Sequence, residues 1–336
     1  MMLVAVAFTL SDVASAAPSA GACAVHLEFR ERLSMLAMSG NGQLPKHSPL
    51  TTTTVVQDLD EVDAYHHQTG HAAILNLEPH LFHSMQESSI PLAAGKALRD
   101  DWQNRLVNLT ERHGLRDRVE SRRSVKGFLL GQDLVWNNIS VSNISAVAHW
   151  IKSSFTHSEG GNSNIVVMYT EHPDLLWTRR NVNGLPVEEY TFIPDGVDYL
   201  ASSAANDSAQ QKQGPQSSRW VAQNFLEQLI PERSSAKVLA SFDVLGGQKL
   251  DDLDLAARIE DLASWINSGD AKFGGAMQFP QEPEEAIYPN AHRCFNEFMK
   301  SLGDETEQHH HAEEHHDTSN EEHPSPRRRR RIVQQG

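Results

Sequence analysis

The residues Val125-Lys-Gly-Phe-Leu-Leu-Gly-Gln-Asp-Leu-Val-Trp136 form a short apolar run that ends in an acidic residue and a tryptophan. A polar turn and the start of a new helical pattern follow it directly. A short apolar run bounded by a turn is typical of a strand that is buried on both faces. Several other apolar runs of the chain also end in an acid. This repetition predicts a parallel sheet with a cleft at the end where the acids lie.

Strand and helix patterns alternate on both sides of this run. Apolar or β-branched segments predict strands at residues 51–56, 71–79, 125–130, 164–171, 196–202, 236–243 and 273–279. Apolar residues at helical spacing predict helices at residues 58–67, 97–113, 141–155, 219–229, 253–266 and 290–302. With one further strand from the first forty residues, the count reaches the eight strands of a (β/α)8 TIM-type barrel, an α/β fold. An open doubly wound sheet is the rival, but no Gly-rich phosphate turn follows the early strands.

The composition of the chain fits one soluble barrel, and the composition changes after residue 303. The chain has 336 residues, of which 39% are hydrophobic, and no apolar run approaches the roughly 20 residues that a membrane span needs. The formal net charge of -15 argues against a nucleic-acid surface on the barrel. We predict a barrel over residues 23–303 with irregular N-terminal strands. Residues 304–336, acidic and His-rich and then Arg-rich, predict a disordered tail whose partner is unknown.

Three features favour export over a cytoplasmic location. Residues 1–22 resemble a secretory signal peptide without its basic start, and the alternative is a first strand at residues 3–8. The glycosylation pattern Asn-x-Ser/Thr occurs at Asn108, Asn138, Asn143 and Asn206. The two cysteines, Cys23 and Cys294, flank the predicted barrel, so they form either a disulfide or two buried thiols. We predict a secreted glycoprotein.

Acidic residues recur at the C-terminal ends of the predicted strands. They are Glu78, Asp133, Glu171 and Asp243, and Asp198 lies inside another predicted strand. In barrels of this type the loops after the strands build the active site, so the acids would converge on one cleft. Each acid alone also has a structural explanation, as the N-cap of the next helix.

Paired carboxylates are the catalytic groups of glycoside hydrolysis. One protonates the leaving oxygen, and the other attacks the sugar or activates a water molecule. We predict Asp133 as the acid/base, with Glu171 or Asp243 as its partner. A carbohydrate is therefore the predicted substrate or ligand.

The predicted substrate-binding residues combine two acids with three aromatic residues close to the acids. They are Glu78, Trp136, Tyr169, Trp177 and Asp198. Aromatic rings stack on sugar faces, although core packing is the alternative for each of them.

The segment from Gly127 to Asn137, followed by Ser142-Asn-Ile-Ser-Ala146, resembles a family of largely uncharacterised glycoside-hydrolase-like (β/α)8 proteins. The family motif reads Gly-Phe-Phe-Leu-Gly-Asp-Glu-Leu-Val-Trp-Asn. Residues 195–199 and 236–247 are also similar, and the resemblance covers residues 55–300, with specificity around the motif alone. It implies a barrel with a glycosidase-like site.

The sequence departs from that motif at one point, because Gln132-Asp133 stands where the family has Asp-Glu. If the family's glutamate is an acid catalyst, Asp133 has to reach about one methylene further, and catalysis is sensitive to such displacements. Two functions are therefore open. The barrel either hydrolyses a glycoside or is catalytically degenerate and binds carbohydrate or a protein partner without turnover.

No metal and no cofactor are predicted. The sequence has neither a Gly-x-Ser-x-Gly nucleophile elbow nor a phosphate-binding P-loop. Five histidines lie near Glu78 in the sequence: His66, His67, His71, His80 and His83. A His/Glu metal site among them is a weaker alternative, since they match no recognised ligand motif.

Overall fold

The computed structural model of the chain describes residues 34–38, 53–84, 95–155, 165–172, 175, 180–187, 193–202, 234–241, 251–268, 272–277, 285–298 and 300. Its first half contains β1 (Ser34–Met38), β2 (Thr53–Val56), α1 (Leu59–Thr69), β3 (Ala73–Asn76), α2 (Glu78–Leu81), β4 (Phe82–Ser84), β5 (Lys96–Leu98), α3 (Trp102–Glu111), α4 (Leu115–Glu120) and β6 (Val125–Leu129). Then follow α5 (Val141–Phe155), β7 (Val166–Glu171), β8 (Tyr199–Ser202), β9 (Lys237–Ser241), α6 (Asp252–Asn267), β10 (Phe273–Met277) and a helix over residues 289–298, here α7.

Eight of these strands form one curled parallel sheet in the order β1-β10-β9-β8-β7-β6-β3-β2. The pairing of β1 with both β10 and β2 joins the two ends of this order. Eleven of the 27 residues between β7 and β8, and nearly all residues between β8 and β9, lie outside the described residues. The structure therefore shows an α/β fold with a curled parallel sheet, and it does not describe eight complete strand-helix units.

The sheet separates two layers of apolar side chains. The layer enclosed by the sheet contains one residue from each of seven strands: Val55, Ile74, Leu129, Met168, Ala201, Leu239 and Met277. A larger layer lies between the sheet and the helices and includes Phe128, whose ring packs 5.6 Å from that of Phe155 on α5. Burying one such side chain contributes about 1.5–3 kcal/mol, and successive strand residues alternate between the two layers.

Local signals explain where the helices begin and end. Asp58 caps α1, because its carboxylate accepts the Glu61 N–H at 2.9 Å. Gly70 ends the same helix in the left-handed conformation, with φ +72°. Asp252 of α6 accepts the N–H groups of Asn290 and Ala291, so it caps α7 from a neighbouring helix.

Most predicted elements are present, but two of them begin three or more residues later than predicted. The predicted helix over residues 97–113 begins at Trp102, and residues 96–98 instead form β5, which pairs with β4 in an antiparallel hairpin. The predicted strand over residues 196–202 begins at Tyr199. Helices α2 and α4 and strand β4 were not predicted. The predicted helix at 219–229, the N-terminal segment 1–22 and the tail 304–336 lie outside the described residues.

None of the helices in the described parts of the chain combines the length and the apolar character that crossing a membrane requires. Cys294 on α7 is buried and disulfide-bonded. The sequence contains one other cysteine, Cys23, which lies outside the described residues.

Candidate functional site at the C-terminal ends of the strands

Strands β3, β6 and β7 are neighbours in the sheet, so the segments that follow them meet at its C-terminal edge. This brings Glu78 after β3, Asp133 after β6 and Glu171 at the end of β7 into one region. The turn over residues 134–138 connects β6 to α5 and lies between the other two segments. Three of the five acids singled out in the sequence therefore belong to one candidate site.

Asp133 opens this turn in an uncommon backbone conformation, with φ +54°. Its N–H donates to the Thr170 carbonyl at 2.9 Å, and its own carbonyl accepts both the backbone N–H (2.9 Å) and the side-chain amide (2.8 Å) of Asn137. The left-handed region costs a non-glycine residue about 1–2 kcal/mol, although Asp tolerates it better than most residues. Such strain persists only where the surroundings fix it, and it concentrates at functional sites.

Glu171 is fully buried and binds the backbone of the same turn. Its carboxylate accepts the N–H groups of Val135 (2.9 Å), Trp136 (3.0 Å) and His172 (2.9 Å). Burial raises the pKa of Glu171 to about 8, and the charge of Asp133 adds to this, while the three hydrogen bonds oppose it. A carboxyl with no exposed surface does not contact a substrate in this conformation, so the geometry fits a residue that positions the turn.

Glu78 is held by a residue that the sequence did not point to. Its Oε1 lies 2.5 Å from the Nζ of Lys96 on β5, and its Oε2 accepts the Gln132 N–H at 2.9 Å. Lys96 Nζ also donates to the Gln132 carbonyl at 2.6 Å. The carboxylate is therefore committed to an ion pair at the base of the Asp133 turn. No sequence pattern pointed to Lys96, because it reaches the site only through the short β4–β5 hairpin.

Trp136 is half-buried, and one face of its ring is stacked on His172. The ring centroids are 4.6 Å apart and the planes differ by 17°. A sugar can stack only on the other face. His172 was missed in the sequence, although its position directly after Glu171 was the available signal.

Two predicted substrate-binding residues lie elsewhere. Tyr169 is completely buried in the layer between sheet and helices, because the alternation along β7 directs it away from the enclosed side. Asp198 precedes β8 and accepts Lys152 Nζ at 2.7 Å and the Val167 N–H at 2.8 Å. That places Asp198 at the N-terminal ends of the strands, opposite the candidate site, since β8 begins three residues later than the predicted strand.

Asp243 and Trp177, predicted as a catalytic partner and a sugar platform, lie outside the described residues. Within the described residues, no three His, Cys, Asp or Glu side chains are grouped so that they could hold a metal ion.

The pKa of His80 is lowered, first by burial and then by the positive charges of Arg105, His113 and Arg99.

The glycosylation patterns differ in accessibility. Asn108 and Asn143 are exposed. Asn138 is half-buried, and its side-chain oxygen Oδ1 accepts a hydrogen bond from the side-chain amide of Asn181 at 2.5 Å. Asn206 lies outside the described residues.

No protein-family model matches the sequence. No curated protein matches it either. Among solved structures, the chain is similar to a protein from Bacteroides thetaiotaomicron VPI-5482 described as a "putative alpha-L-fucosidase", with 11% sequence identity and a TM-score of 0.46. The match covers 88% of this chain and 99% of that one.

Proposed function

We propose that the chain is a glycoside-hydrolase-like (β/α)8 barrel that hydrolyses a carbohydrate at the C-terminal ends of its strands. The observation that carries the proposal is the position of Asp133. It follows the C-terminal end of β6 in a left-handed conformation, and neighbouring segments hold its turn from both sides. Active sites of parallel barrels occupy this end, and strained backbone is retained where a side chain has to be presented in one orientation.

Asp133 acts in this proposal as the acid/base. It protonates the leaving oxygen of the glycoside while a second carboxylate attacks the sugar or activates water. Asp243 is the proposed second carboxylate, as predicted from its place at a strand end. Glu171, predicted as a catalytic partner, takes a positioning role in this proposal, because it is buried and its two oxygens accept hydrogen bonds from three backbone N–H groups of the site.

A second candidate function is a barrel that binds carbohydrate without turnover. The observation that favours it is the commitment of two acids to structural contacts. Glu78 forms an ion pair with Lys96, and Glu171 is fully buried. Glycoside hydrolysis needs two carboxyl groups that reach the same glycosidic bond. If Asp243 does not reach the bond that Asp133 protonates, the barrel binds carbohydrate without hydrolysing it.

The experiment that tests the proposal compares Asp133→Asn with Asp198→Asn. Asp198 is the matched control, because it is a partly buried aspartate at the opposite end of the strands. On a panel of aryl glycosides and natural oligosaccharides, D133N is expected to lower kcat/KM by at least about a hundredfold, in keeping with the loss of a general acid. D198N is expected to keep activity close to wild type once both variants are shown to be folded by circular dichroism.

Unchanged turnover by D133N removes Asp133 from the mechanism. If D133N still binds glycans on an array and no member of the panel is hydrolysed, the result contradicts the hydrolase and supports the barrel that binds carbohydrate without turnover. A protein that neither binds nor hydrolyses any member of the array and panel contradicts both functions.

A further inference from the structure

Two consecutive peptide units leading into Asp133 are each held at both of their polar atoms. In the unit between residues 131 and 132, the Gly131 carbonyl accepts the Thr170 N–H at 3.1 Å, and the Gln132 N–H donates to Glu78 Oε2 at 2.9 Å. In the next unit, the Gln132 carbonyl accepts Lys96 Nζ at 2.6 Å, and the Asp133 N–H donates to the Thr170 carbonyl at 2.9 Å. Strand β7 thus fixes one side of both units, and the Lys96–Glu78 ion pair fixes the other.

The orientation of these peptide units determines the backbone angle of Asp133. Rotation of the Gln132–Asp133 unit is what would return φ of Asp133 from +54° to the usual negative region. Such a rotation breaks the bonds of the Gln132 carbonyl to Lys96 and of the Asp133 N–H to Thr170. The pair is partly shielded from water, with side chains 21% (Lys96) and 24% (Glu78) exposed, so its bonds are less screened than those of surface pairs.

The surrounding backbone is shaped to admit this ion pair. A side-chain Cβ at Gly131 would lie 3.0 Å from Glu78 Oε2, so the bare glycine lets the carboxylate reach the Gln132 N–H. Lys96 is anchored as well, because its own N–H donates to the Asn137 carbonyl at 2.8 Å, at the far end of the same turn. One lysine therefore contacts the backbone on both sides of Asp133, at Gln132 directly before it and at Asn137 within the turn that follows it.

We propose that Lys96, acting with Glu78, is a positioning residue that holds Asp133 in its left-handed conformation at the mouth of the barrel. In this proposal Glu78 holds Lys96 and the Gln132 N–H, in place of the substrate-binding role predicted for it. The consequence for catalysis rests on the proposed function, but the conformational consequence does not.

The chain offers a matched control for a test of Lys96. Lys152 and Asp198 form an ion pair of similar length, 2.7 Å, with side chains 34% and 28% exposed, at the opposite end of the strands. Lys96→Met and Lys152→Met each remove the charge of one partly buried lysine and keep most of its apolar stem. Lys96→Arg keeps the charge beside Glu78 and serves as the conservative variant.

The first measurement is amide hydrogen exchange and the backbone chemical shifts of Asp133 in the folded protein. K96M is expected to speed exchange of the Gln132 and Asp133 amides at least tenfold and to move the Asp133 shifts away from left-handed values. K152M is expected to leave both unchanged, and K96R to restore them in part. Unchanged exchange and shifts in K96M overturn the proposal, and this result requires no substrate.

The second measurement uses any glycoside whose hydrolysis D133N abolishes. A positioning role predicts that K96M lowers kcat at least tenfold with KM within about twofold of wild type, because transition-state alignment is lost and ground-state binding is not. A change confined to KM, or a kcat equal to that of K152M, overturns the catalytic consequence. If no glycoside is hydrolysed, the hydrolase proposal fails while the exchange data still decide the role of Lys96.

Discussion

Glu171 is a carboxyl group that the protein holds where water does not reach it, and its protonation affects folding. Its pKa rises from the ordinary glutamate value of 4.5 to about 8 on folding, mainly because of burial. Below pH 4.5 the group is protonated in both states, and this contribution to stability is fully present. Between pH 4.5 and 8 the unfolded chain ionises while the folded one does not, so the free energy of unfolding falls by about 1.4 kcal/mol per pH unit.

We predict that Glu171→Gln flattens this pH dependence. The amide cannot ionise, but its NH2 group faces the Val135 N–H or its neighbours, so E171Q is expected to be about 1–3 kcal/mol less stable at pH 5. The difference in the free energy of unfolding should close and then reverse as the pH rises to 8, because the wild type alone loses about 3–4 kcal/mol over this range. Urea unfolding at pH 5 to 9 measures the difference in the free energy of unfolding between E171Q and wild type. Glu111→Gln, on the surface, is the control. Curves for E171Q and wild type that stay parallel over this range contradict the raised pKa.

At the same scale, the sequence located the acids but not the directions of their side chains. Glu78, Asp133 and Glu171 were predicted at strand ends, and the structure places all three in one region. Their roles depend on contacts that no local pattern carries. Alternation of the side chains along β7 directs Glu171 away from the side that the sheet encloses. The carboxylate of Glu78 forms an ion pair because the chain returns 18 residues later with Lys96. Asp198 lies at the opposite ends of the strands for another reason, because a sequence pattern locates the first residue of a short strand only to within a few positions.

Among the elements, β6 depends on a glycine that lets it approach β7. A Cβ at Gly127 would lie 2.5 Å from the Val166 carbonyl oxygen and 2.8 Å from the Val166 Cβ, and one of these contacts is with backbone. Gly127 and Val166 are paired residues of the two strands. A side chain at this position therefore forces the two central strands of the candidate site apart.

We predict that Gly127→Ala costs about 1–3 kcal/mol or more of stability, as overpacking does in closely packed interiors. Gly70→Ala is the matched control, since its Cβ meets no atom within 4 Å and only its φ of +72° is unfavourable. Both changes restrict the unfolded chain equally. Urea unfolding should show a larger loss for G127A than for G70A, and a smaller loss contradicts the close approach of β6 and β7.

The long elements were the predictable ones. Helix α5 was predicted at residues 141–155 and has those bounds, because apolar residues at helical spacing and a 15-residue length leave little ambiguity. The hairpin of β4 and β5 was not predicted, because three-residue strands carry too few side chains for a period to show. The same hairpin supplies Lys96. Lys96 therefore escaped prediction because one of the shortest elements carries it.

At the scale of the whole molecule, a curled parallel sheet joins distant parts of the chain. Strand β1 pairs with β10, and Cys294 on α7, which follows β10, is disulfide-bonded. The sequence holds one other cysteine, Cys23, and it precedes β1. A crosslink between these residues encloses nearly all of the strands, and a long enclosed loop removes more entropy from the unfolded chain than a short one.

We predict that reduction lowers the free energy of unfolding by about 2–5 kcal/mol, the usual range for a native disulfide. Thermal unfolding with and without a reductant measures the shift, and peptide mapping of the unreduced protein should yield Cys23 linked to Cys294. Cys294→Ala is the control, because its unfolding midpoint should match that of the reduced wild type and should not respond to the reductant. A wild-type midpoint that is insensitive to reduction means that the parallel pairing of β1 with β10 and β2 holds the ends of the sheet without help from the crosslink.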